Sequence, residues 1–103
     1  MPFASFPDNF AMYDVTPVEN LFLLEYLPHA PGDFVRVYLY GLMRCRHPAK
    51  DDGLEEMAGA LGMTREQVLS AFRYWERQGL VTGLSDNPPT FQYLDVRSTL
   101  LAA

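Results

Sequence analysis

Residues 52–81 read "DGLEEMAGALGMTREQVLSAFRYWERQGLV", a spacing typical of two short helices that cross closely after a tight turn. Counted from Leu54, the fifth position is Ala58, whose small side chain lets a second helix approach the first. The ninth position is Gly62, which tolerates the positive φ that such a turn favours. The fifteenth is Val68, an apolar residue that fills the space between the helices. The pattern predicts a helix-turn-helix unit.

Capping signals set the expected bounds of these two helices. The first should cover residues 54–61 and end at Gly62. Thr64 is a good N-cap for the second helix, and Gln67 at its third helical position completes a capping box. Gly79 should end the second helix in a left-handed conformation.

Two segments typical of strands follow the second helix. They are "LVTGL" (80–84) and "TFQYLDV" (90–96), and they flank "SDNPP", which predicts a turn. The order helix, helix, turn, helix, hairpin therefore predicts a winged helix-turn-helix with an N-terminal extension. Its fold class is mostly α with a small β-hairpin, an α+β fold.

Two further helices are predicted upstream. In "TPVENLFLLEYLP" (16–28), Thr16 is expected as the N-cap, with Glu19 three residues later, and the helix should end near Leu27 before a proline. The next helix should cover residues 34–47, with Asp33 as its cap.

Both upstream helices are apolar on more than one face, which is typical of helices buried on two sides. One interpretation makes the second a central core helix that the rest of the domain covers. The other is self-association, because a chain of 103 residues has a limited supply of covering surface.

The N-terminal residues 1–15 are rich in phenylalanine and contain Pro2 and Pro7, which disfavour a helix. We expect an extended arm with a short strand near residues 10–15. Its aromatic side chains either hold the arm on its own core or pack on a neighbouring subunit. The chain then divides into this arm, a winged-helix domain at 16–96 and a C-terminal tail at 97–103.

Charge argues against tight binding to DNA. The formal net charge is −5, and the helix-turn-helix unit itself holds four glutamates against three arginines. The turn of the hairpin, "GLSDNPPT", has no Lys or Arg and contains Asp86, so we expect no contact between this wing and DNA. The solvent face of the second helix carries the candidates for nucleic-acid contact, which either reach phosphates or only solvate the surface: Arg65, Gln67, Arg73 and Arg77.

Nothing in the sequence predicts catalysis, a cofactor or a metal site. His29 and His47 stand apart, and Cys45 has too few companion ligands for zinc. With one cysteine, no intrachain disulfide can form, so we expect a reducing, cytoplasmic setting. No apolar run reaches the ~18 residues that a membrane span needs, and no membrane partner is expected.

The segments "TPVENLFLLEYLPHAPGDFVRVYLYGLMRCRHP" and "LEEMAGALGMTREQVLSAFRYWERQGLV" together closely resemble the N-terminal domain of bacterial DnaD-like replication proteins. The resemblance covers about residues 10 to 96. It implies a winged helix with added elements that mediate dimer or tetramer formation, and a scaffold role in primosome assembly. In that family DNA binding is assigned mainly to a separate C-terminal domain. Since this chain stops before such a domain, we expect a fragment or a short family member.

We therefore predict a non-enzymatic oligomerisation and protein-interaction scaffold in replication initiation. It would contact DNA weakly or through the missing C-terminal domain. The alternative is a winged-helix transcriptional regulator that binds DNA. The predicted oligomer interface consists of large apolar and aromatic side chains: Phe6, Phe10, Met12, Tyr13, Phe22, Tyr26, Tyr38 and Tyr40.

Overall fold

The computed structural model describes residues 3–4, 15–51 and 53–97. It confirms a mostly helical α+β fold with one antiparallel hairpin. A short 3-10 turn, Leu27–His29, connects the first two helices. The elements in chain order are α1 (Asn20–Glu25), α2 (Gly32–Arg46), α3 (Leu54–Leu61), α4 (Arg65–Arg77), β1 (Val81–Asp86) and β2 (Pro89–Tyr93).

The predicted start of α1 is wrong. The helix begins at Asn20 instead of near Thr16, and its N-cap is Glu19, which is extended (φ −61°, ψ 136°) and makes no side-chain capping bond. This extended entry lets Val18 pack against the core. The burial of Val18 thus outweighs the local capping signal, which is worth only about 1 kcal/mol.

The predicted cap of α2 is also wrong. The helix begins at Gly32 with Pro31 as its N-cap, which places Asp33 inside the first turn. There the Asp33 carboxylate accepts a hydrogen bond from Arg36 at 3.4 Å, one turn along the same helix. A carboxylate in the first turn still favours the helix through the macrodipole, so the acid stabilises the helix without capping it.

The two helices predicted around Gly62 are confirmed. Gly62 has a φ of 65° and ends α3. The backbone N–H of Gln67 donates to Thr64 Oγ1 at 3.1 Å, and the backbone N–H of Thr64 donates to Gln67 Oε1 at 2.8 Å, which is the expected capping box. A contact that the sequence did not predict adds to this turn, because Arg36 Nη2 donates to the carbonyl of Leu61 at 2.9 Å.

The hairpin pairs Val81 with Tyr93 and Asp86 with Pro89. Its register shifts between Gly83 and Ser85, where β1 has a bulge. Gly79 has the predicted left-handed conformation, with a φ of 82°, and it lies one residue after Gln78, the C-cap of α4.

Trp75 of α4 is at the centre of the core, and it is fully buried. Its indole Nε1–H donates to the carbonyl of Phe34 at 2.8 Å. Its ring lies 5.0 Å from the ring centroid of Tyr38 and 5.4 Å from that of Phe22. α2 packs against α3 and α4, and its Tyr38 ring contacts Phe22 of α1 and Tyr93 of the hairpin, so the other elements cover the buried side of α2.

The hairpin is joined to α2 by Tyr93, whose hydroxyl donates to the carbonyl of Tyr38 at 2.8 Å. Gly41, one turn along α2, makes room for this side chain. A Cβ atom at Gly41 would overlap the Tyr93 hydroxyl. The close approach explains why the helix carries a glycine at this buried position.

The assignment of Gly62 to the turn can be tested by comparing its substitution with that of Gly59, a glycine inside α3. Gly62→Ala should lower the free energy of unfolding by about 1 kcal/mol, because an alanine is strained at a positive φ. Gly59→Ala, in the exposed interior of α3 where a Cβ meets nothing within 4 Å, should raise it by about 0.5–1 kcal/mol. Urea unfolding followed by circular dichroism measures both. Equal effects of the two substitutions would contradict the assigned turn.

Candidate protein-interaction site

Helix α1 has one buried side and one exposed apolar side. Phe22 is fully buried, whereas Leu23, Leu24 and Leu27 are 38%, 67% and 38% exposed. None of these three leucines belongs to the set of residues that packs against the core. Leu23 and Leu24 lie on α1 and Leu27 lies in the 3-10 turn that follows it, and we call the three the α1 leucine face. Apolar side chains that are neighbours on a protein surface and unused by the core are typical of an interaction site.

The structure corrects two residues of the predicted interface. Phe22 and Tyr38 are 0% and 2% exposed, and their rings stack at 4.3 Å inside the single chain. Burial also raises the pKa of the Tyr38 hydroxyl to about 12. These two side chains are therefore not accessible for contact with a second copy. Large apolar side chains are exposed at several places, among them Val15 and Leu84, and those nearest to Phe22 in the chain are Leu23 and Leu24.

Of the other predicted interface residues, two are half-buried and four lie outside the described part of the chain. Tyr26 is half-buried and stacks on Phe22 with a centroid distance of 6.2 Å. Tyr40 is half-buried and its hydroxyl donates to Glu56 Oε1 at 2.7 Å. The remaining four predicted residues lie outside the described part of the chain: Phe6, Phe10, Met12 and Tyr13.

A second apolar feature is a cleft of about 360 Å³ between α2, α3, α4 and β2. We call it the four-element cleft. Its volume is in the range of about 300–1,000 Å³ that is typical of sites for small ligands or side chains. Residues from each of the four elements line it, among them Cys45, Leu54, Met57, Leu69, Phe91 and Tyr93.

A polar network holds one wall of the four-element cleft. Arg44 Nη2 donates to Glu56 Oε1 at 3.0 Å and to the Tyr40 hydroxyl at 3.1 Å, and all three side chains are half-buried. The hydrogen bond from Tyr40 is the main cause that lowers the pKa of Glu56, with further help from Arg44. The hydrogen bond with Tyr40 is likewise the main cause that raises the pKa of Arg44. The network therefore keeps the carboxylate and the guanidinium charged and joins α2 to α3.

The four residues predicted for nucleic-acid contact are all exposed on α4, but two of them serve the fold. Gln67 belongs to the capping box, and Arg65 Nε lies 3.5 Å from Glu55 Oε1 in an exposed ion pair. Within the described residues, Arg73 and Arg77 make no side-chain hydrogen bond or ion pair. The hairpin from Val81 to Tyr93 contains no Lys or Arg, so α4 receives no help from it in binding a polyanion.

Charge is divided unevenly along the chain. Residues 1–35 contain five acidic residues and no Lys or Arg, whereas residues 36–103 contain eight acidic and eight basic residues. The first segment, which includes α1, therefore carries the whole net charge of −5. The uneven division is visible in the sequence when charge is summed by segment, whereas the sum over the whole chain conceals it.

Comparison with protein-family models, with curated proteins and with solved structures finds no match for this chain. Across residues 3–4, 15–51 and 53–97, no helix combines the length and apolar character that crossing a bilayer requires. The same residues contain no group of three or more His, Cys, Asp or Glu side chains placed to hold a metal ion.

The network at the cleft wall predicts an acid-dependent stability. The pKa of Glu56 in the folded chain lies below its usual value of 4.5. The Glu56 carboxylate therefore stabilises the fold fully above pH 4.5, and this stabilisation is lost as the pH falls through the folded pKa. Glu56→Gln should therefore lower the free energy of unfolding at pH 7, and the difference from the unmodified chain should shrink towards pH 3. Glu55→Gln, the neighbouring exposed carboxylate, should change stability less at both pH values. Urea titrations at the two pH values measure this, and equal losses for both variants would contradict the network.

Proposed function

We propose that this chain is a non-catalytic scaffold that self-associates and docks protein partners through the α1 leucine face. The observation that carries the proposal is the exposure of Leu23 and Leu24 on α1, whose buried residue is Phe22, and of Leu27 in the 3-10 turn that follows. Covering apolar surface stabilises a complex by about 25 cal/mol per Å² before the costs of ordering are subtracted. A second copy, in a dimer or a tetramer, is the first partner that we propose.

The resemblance to DnaD-like replication proteins gives this scaffold its proposed setting. We interpret α3, α4 and the hairpin as a winged helix-turn-helix whose architecture serves assembly. In this proposal the chain acts in the cytoplasm during primosome assembly at replication initiation, and DNA is bound weakly or by another domain. The net charge of −5 supports the proposal, since it opposes independent binding to a polyanion.

A second candidate function is DNA binding by a winged-helix regulator. The observation that favours it is that Arg73 and Arg77 are exposed on α4 and make no side-chain bond within the described residues. They lie one turn apart, so both are placed for phosphates of one strand. Two arginines supply few phosphate contacts compared with the 6–10 or so that give strong salt-dependent binding. This function is therefore the weaker of the two.

Self-association should depend on the α1 leucine face. We expect the unmodified chain to be a dimer or larger in light scattering at micromolar concentration, and Leu24→Glu to weaken association at least tenfold, about 1.4 kcal/mol. The matched control is Leu84→Glu, because Leu84 is 59% exposed on the hairpin, close to the 67% of Leu24. It should leave association unchanged. A chain that stays monomeric up to near-millimolar concentration would rule out the scaffold proposal.

DNA binding provides the opposing test. Fluorescence anisotropy with a labelled duplex at physiological salt should give a Kd no tighter than about 10⁻⁴ M, the weak end of non-specific binding. Tighter binding that falls steeply with salt would favour the second function instead. In that case Arg73→Ala and Arg77→Ala should each reduce it, whereas Arg97→Ala, which removes an exposed charge from a residue after the hairpin, should not.

A further inference from the structure

The four-element cleft suits an apolar occupant. The Tyr93 hydroxyl donates to the Tyr38 carbonyl at 2.8 Å, and Thr90 Oγ1 donates to the Pro88 carbonyl at 3.1 Å. Arg44 Nε has no hydrogen-bond partner among the described residues, but it is buried and so is not presented to an occupant. The charge of Arg44 is likewise matched by Glu56 at 3.0 Å. An occupant of the cleft therefore does not need to supply hydrogen bonds, but it gains from the burial of apolar side chains.

One lining residue, Leu69, has no role in the core. It is only partly buried on α4 and, unlike Leu54, Phe91 and Tyr93 of the same cleft, it is not among the side chains packed against the core. Its side chain is available to an occupant, and its replacement should disturb the fold little.

The residues that line the cleft belong to a part of the chain, residues 36–103, that is neutral overall and carries both exposed arginines and exposed acids such as Glu66, whereas residues 1–35, which include α1, carry the net charge of −5. Arg73 lies one turn after Leu69 on α4, and Arg46 ends α2; both side chains are exposed. α1 has exposed Glu25 directly after Leu24, and no Lys or Arg occurs in residues 1–35. Contact between two identical α1 leucine faces would bring two acidic segments together, whereas exposed Arg73 and Arg46 can pair with Glu25 of another copy, which favours contact between different faces.

We infer that the α1 leucine face of one copy binds in the four-element cleft of a second copy. This inference rests on the proposed self-association and names its receiving surface. The contact is of the helix-in-groove kind, with Leu24 and its two neighbours as anchors and Glu25 beside Arg73 or Arg46 of the other copy. It is heterologous: each copy offers one donor face and one receiving cleft, so association closes into a ring or continues as a chain.

A complementation experiment tests this arrangement. Leu24→Glu removes the donor face and leaves the cleft intact, whereas Leu69→Glu does the reverse. Each variant alone should associate at least tenfold more weakly than the unmodified chain in sedimentation velocity between about 10 µM and about 1 mM. An equimolar mixture should form a 1:1 heterodimer that grows no further, because only one intact donor face and one intact cleft remain.

The control is Gln92→Glu, which makes the same change of charge at an exposed residue of β2 and should associate like the unmodified chain. Circular dichroism melts verify that the variants are folded. If Leu69→Glu is unfolded, Thr90→Glu, at an exposed residue of the cleft, takes its place.

The outcomes separate this inference from the function on which it rests. A monomeric unmodified chain would overturn both. Two other results would reject the cleft while self-association stands. In one, the unmodified chain associates and Leu69→Glu associates equally well. In the other, the unmodified chain associates but the mixture of the two variants stays monomeric. Recovery of the heterodimer only in the mixture supports the inference, and increasing salt should then weaken that heterodimer.

Discussion

The contact of Trp75 with α1 and α2 sets the arrangement of the molecule. Its indole N–H satisfies the carbonyl of Phe34 near the start of α2, while its ring packs with Tyr38 and Phe22. An indole can be buried at low cost only when its N–H has an acceptor, so this bond and the aromatic packing depend on one another. Because Phe22 must face Trp75, the leucines that follow it on α1 face away from the core. The exposure of these leucines is thus a consequence of the packing of Phe22 against Trp75.

The parts of the fold that depend on local backbone chemistry were predictable from sequence. A left-handed turn requires a residue such as Gly62, and the Thr64–Gln67 capping box uses only groups three residues apart, so their effects do not depend on distant contacts. The start of α1 was not predictable in this way. Thr16 has a favourable local pattern, but the burial of Val18 in an extended segment depends on a core assembled from distant residues.

The candidate site was less predictable for the same reason. A helix that is apolar all round, such as α1, does not reveal from periodicity which side faces inward. Phe22 and Tyr38 were predicted on the surface but are buried, because large aromatic rings fill a core effectively. The network of Arg44 with Glu56 joins residues 12 positions apart on two helices, and no sequence spacing indicates such a pair.

Leu23, Leu24 and Leu27 do not pack against the core, so core packing does not explain why these positions are leucine. A helix of six residues is not stable alone, so α1 depends on the anchor that Phe22 provides. Polar residues in place of Leu23, Leu24 and Leu27 would keep that anchor and would remove the cost of exposing apolar surface to water. On α4, by contrast, Arg65 and Gln67 are engaged in an ion pair and a cap, which leaves few cations for a polyanion. The chain therefore places Leu23, Leu24 and Leu27 in its acidic segment, whose charge opposes contact with a polyanion.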